Sequence, residues 1–299
     1  MDNRSGAGEM NQIRENLKAL GLSPNNIFQQ VKDAISEDLA GGEDITSNAT
    51  IANSHVSTAD FVAKSNGVVS GLHIAAAVLE YCGINNYELL VDEGAEVNSG
   101  EVLITATGNS KKLLLAERTA LNFLTHLSGI STYTNRWVQK IAGTNCKVRD
   151  TRKTTPGLRV LEKFAVKMGG GVNHRLSLSE SALIKDNHVV ATGSITKAFD
   201  LIRANHPSVK IEIEVDNLEQ LLEVIPLMPE VALLDNMSVD QCAKAVELVA
   251  GKFKLEASGG LTLDNAKSYA DTGVDYLAVG ALTHSAPAFD IGLDFREER

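Results

Sequence analysis

Between Arg149 and Lys185 the chain gathers eight lysines and arginines against three acids, although its net charge is -10. The densest part is "DTRKTTPGLR", Asp150 to Arg159, where the β-like string "CKVRD" gives way to the helical pattern "VLEKFAVKMGGG". On charge alone a window of about +5 reads as a solvated helix. The residues that follow point instead to a pocket for a multiply charged anion. Arg152 and Lys153 come first, then Lys185 with Asp186 and Asn187, Glu214 with Asp216, Asp235 with Asn236, Ser258-Gly259-Gly260, and Gly280-Ala281. Cations cluster early, carboxylates in the middle and glycines last, an order that solvation of loops does not explain. Glycines let backbone N–H groups approach an anion closely, and in "ASGGLTLDNA" and "VGALTHS" they precede helical patterns. A tight turn without ligand is the alternative. Glu214 and Asp235 are oxygen donors suited to Mg²⁺, which keeps waters and takes one or two carboxylates plus substrate oxygens. Their alternative is helix capping, for which Asp216 and Ser238 are better placed. A site of His174, His188 and His284 fits no recognised ligand spacing.

The elements that carry these residues alternate. From Lys147 onward, "KVRDT", "ALIKDN", "KIEIEVDN", "VALLDN", "KLEASGG" and "YLAVGA" read as buried strands, with "VNHRLSL" a possible seventh. Helical stretches such as "GSITKAFDLIRANH" and "SVDQCAKAVELVA" separate most of them, the pattern of a parallel βα barrel. In such a barrel the site lies at the C-terminal ends of the strands, where all the residues above fall. The first part differs: helices over 12–22 and 27–40, β-rich strings over 57–107, then a long helix over 111–141, broken near Gly129. Leu114, Leu121, Leu124 and Leu127 are expected to share its buried face. Arg118 interrupts that apolar segment.

With 299 residues and 43% hydrophobic composition, the chain suits one large or two smaller globular domains. No apolar run approaches the roughly 20 residues of a membrane span. The start, "MDNRSGAGEMNQIRENL", lacks an apolar signal core and reads as a loose cytoplasmic N-terminus. Three scattered cysteines imply a reducing compartment, and a pI near 5.2 argues against nucleic acid or anionic membrane as partner.

"DTRKTTPGLRVLEKFAVKMGGGVNHR", "LIKDNH", "IEIEVDN", "LLDNMS", "ASGG" and "VGALTHSAPAFDIGLDF", with "AERTALNFLTHLSGIST" upstream, resemble the quinolinate phosphoribosyltransferase family. The resemblance runs from about residue 27 to the end. It implies an N-terminal open α/β sandwich, residues 1–128, and an incomplete seven-stranded α/β barrel, residues 129–285, with the tail 286–299 returning to the first domain. It implies a homodimer, or an assembly of dimers, in which Arg118 reaches into the partner's site. Arg152, His174, Arg175 and Lys185 then surround quinolinate, Lys153 with Lys185 faces 5-phosphoribosyl 1-pyrophosphate, and Thr151 and His284 are further substrate-binding residues. Glu214 and Asp235 lie near the ribose and Mg²⁺. Ser258, Gly259, Gly260, Val279, Gly280 and Ala281 cradle the 5′-phosphate. Lys153, Lys185, Glu214 and Asp235 are the expected catalytic groups.

The implied reaction is phosphoribosyl transfer with decarboxylation, giving nicotinate mononucleotide, pyrophosphate and CO₂ for NAD biosynthesis without an organic cofactor. Two departures stand out: "LSLSES" follows His174-Arg175, and Thr125-His126 replaces a different polar pair. The first motivates a rival reading, a paralogue with another anionic acceptor. A non-catalytic sensor of phosphate ligands is a rival of another class.

Overall fold

The computed structural model describes residues 5–296. In chain order the elements are α1 (Ser5–Ala19), α2 (Pro24–Leu39), α3 (Ile45–Thr50), β1 (Val56–Ala63), β2 (Gly67–Val68), α4 (Leu72–Tyr81), β3 (Asn86–Leu89), β4 (Glu96–Val97), β5 (Val102–Asn109) and α5 (Ser110–Lys140). There follow β6 (Lys147–Arg149), α6 (Arg159–Met168), β7 (Ala182–Ile184), α7 (Asp186–Thr192), α8 (Ile195–Asn205), β8 (Ile211–Val215), α9 (Leu218–Val224), β9 (Val231–Asp235), α10 (Val239–Val249), β10 (Lys254–Ser258), α11 (Ala266–Asp271), β11 (Tyr276–Ala278), α12 (Ala281–His284) and β12 (Ile291–Phe295). Two compact units emerge: Met1–Thr132 with Val160–Gly169 and Pro287–Arg299, and Tyr133–Arg159 with Gly170–Ala286. The division between these units falls inside α5, and most of α6 belongs to the first unit.

In the first unit, β12-β1-β5-β3 form an antiparallel sheet and β2 pairs with β4. The start expected to be loose is helical from Ser5; the first four residues lie outside the described ones. α5 runs unbroken through Gly129, whose missing Cβ makes room for the Pro287 carbonyl, 2.3 Å from where that atom would stand. The glycine is there for close packing, so the expected break is absent. Leu121, Leu124 and Leu127 are buried as expected, but Leu113, not Leu114, begins the apolar stripe.

β12 is clamped to β1 and β5 by Arg296, which donates to Asp60 at 2.8 and 2.9 Å and to Thr105 at 3.2 Å. Burial acts to raise the Asp60 carboxyl, but hydrogen bonds from Arg296 and Thr105 outweigh it, so the group sits below the usual carboxylate value. A depressed carboxyl stabilises above its unfolded value, and that contribution is lost as pH falls through the folded one. Asp60→Asn is therefore expected to lower Tm at pH 7 by about 2 °C, a contribution limited by the exposure of Arg296. Thermal melts of the two proteins should converge only as the pH falls below the ordinary carboxylate range.

In the second unit the strands form a parallel sheet in the order β6-β11-β10-β9-β8-β7. "VNHRLSL" is not a strand; it contributes one parallel bridge, Val172 to Arg149, so the seventh position is reduced to a single pairing beside β6. Helices cover the connections, and their starts are capped: Ser194 accepts from Lys197 N–H, Asn217 from Gln220 N–H and Ser238 from Gln241 N–H. Ser238 thus caps as expected, whereas α9 is capped by Asn217 and not Asp216. Both strand-end carboxylates, Glu214 and Asp235, are left out of capping.

Parallel partners in register face the same side, and side chains alternate along each strand. The pairs Glu214 with Leu233, Leu233 with Glu256, Glu256 with Tyr276, Tyr276 with Lys147 and Leu183 with Glu212 therefore define one face. Arg149, Glu212, Asp235 and Ser258 share it by the same alternation. Ile211, Ile213, Val215, Leu255 and Ala257 take the other face and are buried.

Candidate active site

The charged face leads into a cavity of about 780 Å³ at the C-terminal ends of the parallel strands. β6 delivers Thr151, Arg152 and Lys153; the loop after the Val172 bridge, His174 and Arg175; β7, Lys185; β8, Glu214; and β9, Asp235. Ser258, Gly259 and Gly260 after β10, and Val279, Gly280, Ala281 and His284 after β11, close the ring. Every expected site residue lines this cavity except Arg118, which is exposed on α5 in the first unit.

The cationic wall is strongly preset. Arg175 is 9% exposed, and its Nη1 donates to the Ser181 carbonyl at 2.6 Å. Burial, and then the neighbouring Arg152, pull its guanidinium below the usual value. The buried Nε atoms of both Arg152 and Arg175 have no hydrogen-bond partner. Two neighbouring guanidiniums, one buried and one half-buried, each with a buried and unused Nε donor, form a receptor for an anion, because an unmade charged hydrogen bond is costly. The unusual "LSLSES" loop supports this wall: Glu180 accepts from Leu176 N–H at 2.6 Å and closes the turn ahead of Ser181. Arg159 braces it by donating to Thr154 Oγ1 at 3.0 Å and to the Leu176 carbonyl at 3.3 Å.

In the middle of the ring, Lys185 Nζ and Glu214 Oε2 stand 2.5 Å apart. Asp235 Oδ2 accepts from Asn236 Nδ2 at 2.7 Å. As hard oxygen donors on adjacent strands, Glu214 and Asp235 fit Mg²⁺, which takes its remaining ligands from water and substrate. The three histidines do not assemble into a metal site. His188 Nδ1 accepts from Lys185 N–H at 3.0 Å, His284 Nδ1 lies 2.7 Å from Ser285 Oγ, and His174 is buried against Glu212.

At the glycine end, Gly259 and Gly260 adopt φ of +85° and +62°. A helix does not follow them directly: α11 starts at Ala266, and Asn265 first turns back to donate to the Gly260 carbonyl at 3.1 Å. The expected dipole of that helix is therefore absent from the cradle. Backbone N–H groups of the loop itself remain, with those of Gly280 and Ala281 opening the short α12, where helix geometry supplies no acceptor. Thr283 Oγ1 donates to the Lys153 carbonyl at 2.7 Å and ties the cationic turn to this end.

Sequence reasoning missed the acids underneath. Glu212 Oε2 lies 2.7 Å from His174 Nε2, and Glu256 Oε2 accepts from Arg149 Nη1 at 2.5 Å. Burial, and then Glu212, push the Glu256 carboxyl up to about 7 against the pull of Arg149 and His174. Counting back two residues from Glu214 and from Ser258 would have found both, since that step keeps a strand residue on the same face.

The family model for the quinolinate phosphoribosyl transferase N-terminal domain matches residues 44–128, and that for its C-terminal domain matches residues 130–294. A nicotinate-nucleotide pyrophosphorylase (carboxylating) of Mycobacterium leprae is 50% identical over 270 residues, 88% of this chain and 95% of the relative. A probable enzyme of that name from Bacillus subtilis is 40% identical over 261 residues, covering 86% and 89%. Among solved structures, nicotinate-nucleotide pyrophosphorylase from Ehrlichia chaffeensis superposes with a TM-score of 0.86 at 39% identity, covering 90% of this chain and 98% of that one. The Francisella tularensis enzyme gives 0.86 at 34% identity, covering 91% and 96%. These matches span both units and agree with the cavity built above: the chain belongs to the quinolinate phosphoribosyltransferase family.

Proposed function

We propose that the cavity transfers phosphoribose from 5-phosphoribosyl 1-pyrophosphate to quinolinate and removes one carboxylate, giving nicotinate mononucleotide, pyrophosphate and CO₂. The observation that carries this reading is the pair of buried, unpartnered Nε groups on Arg152 and Arg175, matched to an acceptor with two adjacent carboxylates. Arg152, His174, Arg175 and Lys185 hold the acceptor, and Lys153 faces the donor. Gly259, Gly260, Gly280 and Ala281 receive the 5′-phosphate through backbone N–H groups.

The ring nitrogen attacks C1 of the ribose as the bond to pyrophosphate breaks. Positive charge developing on the sugar is stabilised by Glu214, held in place by Lys185. Mg²⁺, bound by Glu214 and Asp235 with substrate oxygens, would neutralise charge on the departing pyrophosphate. The alkylated nitrogen is positive, so when the adjacent C2–carboxylate bond breaks, the ring carbon retains the electron pair and then takes a proton. Nicotinate carries one carboxylate and would leave buried cations unpaired, which selects against it as acceptor.

Release of ¹⁴CO₂ from carboxyl-labelled quinolinate tests the reading, with each of quinolinate, phosphoribosyl pyrophosphate and Mg²⁺ omitted in turn. Release only with all three supports it; no release from folded protein that binds the donor would overturn it.

Arg118 lies outside the cavity lining yet is exposed on α5, which supports a homodimer with sites completed across subunits. Arg118→Ala and Lys153→Ala proteins, each nearly inactive, should then regain about a quarter of wild-type activity when mixed and allowed to exchange, because one site in four types of pairing is intact. Mixed dimers without any rescue would refute the shared site. The setting we infer is cytoplasmic: Cys82, Cys146 and Cys242 are buried and free, and no described helix is long and apolar enough to cross a membrane.

A further inference from the structure

Three acids lie beneath the cationic wall. Glu212 and Glu256 are 5% and 0% exposed, and Asp150 is fully buried. Asp150 accepts from His174 N–H at 2.8 Å and from Asn173 Nδ2 at 2.5 Å, fixing the backbone of the "NHR" segment. Glu212 takes the far end of the imidazole at 2.7 Å, and Glu256 takes Arg149 at 2.5 Å. A barrel interior selected for packing alone fills with aliphatic side chains, and charges there are costly unless they hold something. Donor atoms of His174, Glu212 and Glu256 lie within 4.8 Å of one another, the spacing of a metal site. Arg149 already engages Glu256, however, and His174 Nε2 stands at hydrogen-bond distance from Glu212, so the group reads as a hydrogen-bonded support.

We propose that Glu212 is a positioning residue for the acceptor: by accepting from Nε2 it fixes the tautomer and ring orientation of His174 at the cavity wall, the role an outer carboxylate plays behind a functional histidine. Glu256, which holds Arg149, has its other oxygen 3.9 Å from the same Nε2. The inference rests on the quinolinate reading of the cavity, which the ¹⁴CO₂ assay on the unaltered chain tests separately.

The direction of the effect discriminates. Removing a carboxylate makes the cavity more positive and, by charge alone, tightens binding of a dianion. Loss of positioning does the reverse. Glu212→Leu should therefore raise KM for quinolinate about 10-fold or more, leaving KM for phosphoribosyl pyrophosphate within about 3-fold. Glu212→Gln makes the same charge change but keeps an acceptor, and should stay within about 3-fold of wild type. In a His174→Asn background, Glu212→Leu should add no further loss, since it acts through His174. Equal losses in Leu and Gln variants, unchanged or tighter quinolinate binding in the Leu variant, or equal damage to both substrates would each overturn the proposal.

Should Glu212→Leu fail to fold, ¹⁵N-histidine spectra of the unaltered chain decide, with His174 assigned by His174→Asn. A protonated Nε2 is expected with and without quinolinate; an unprotonated Nε2 would overturn the proposal.

Discussion

Arg175→Ala is expected to raise KM for quinolinate by about 10²–10³-fold, the loss typical of truncating one partner of a desolvated charge pair. The size follows from its surroundings. Arg175 is buried, held from behind by the Ser181 carbonyl, and has an Nε without a partner. Burial and Arg152 both act against its charge, so the free site stores a repulsion that a bound carboxylate relieves. Removing the guanidinium deletes both a fork of donors and that relief. The substitution also frees Arg152 from its neighbour, which returns a small part of the loss. Arg175→Lys keeps the charge but not the planar fork, and should still cost about 10-fold or more. The donor end stands on different strands, so KM for phosphoribosyl pyrophosphate should move by less than about 3-fold. Steady-state kinetics with each substrate varied gives both numbers. Parallel losses for the two substrates would place Arg175 in the general support of the fold and not at the acceptor.

Much of this site was legible because strand ends are marked in the sequence. Apolar strings run into "RDTRK", "IKDN", "EVDN", "LLDN" and "ASGG", and each change from aliphatic to polar marks where a strand leaves the sheet. The resemblance to a family then gave the residues roles that spacing alone left open. Other features were hidden for physical reasons. Glu212 and Glu256 sit inside strands, where "KIEIEVDN" and "KLEAS" read equally well as one solvated face. The register puts both on one face, and their burial shows that this face is interior. Gly129 reads as a helix break, but a glycine in a helix is also a place for another backbone to approach, and Pro287, far along the chain, supplies it. α11 begins late because Asn265, not the glycines, sets the turn, a competition among local hydrogen bonds that composition does not reveal.

Gly259→Ala should reduce kcat/KM by about 10²–10³-fold with the fold intact, whereas Gly260→Ala should cost about 10-fold or less, the price of one left-handed alanine. The contrast isolates geometry from conformation, since both glycines have positive φ. A Cβ on Gly260 meets nothing within 4 Å, but one on Gly259 would stand 2.1 Å from Asn236 Oδ1 and 3.0 Å from its backbone N. Asn236 has little room to yield. It is itself left-handed at φ +53°, its N–H donates to the Ser258 carbonyl at 2.8 Å, and its side chain donates to Asp235 at 2.7 Å. The methyl therefore displaces the phosphate loop, or Asp235, or both. Damage should appear in KM for phosphoribosyl pyrophosphate and in kcat, with quinolinate affinity nearly unchanged. Asn236→Gly tolerates the left-handed backbone and removes the obstructing Oδ1, so adding it to Gly259→Ala should recover about 10-fold of the loss. Recovery stops short of wild type because the backbone N contact persists and Asp235 loses its donor. A double variant no better than Gly259→Ala alone would show that the loss comes from the strained backbone of Gly259 and not from its contact with Asn236.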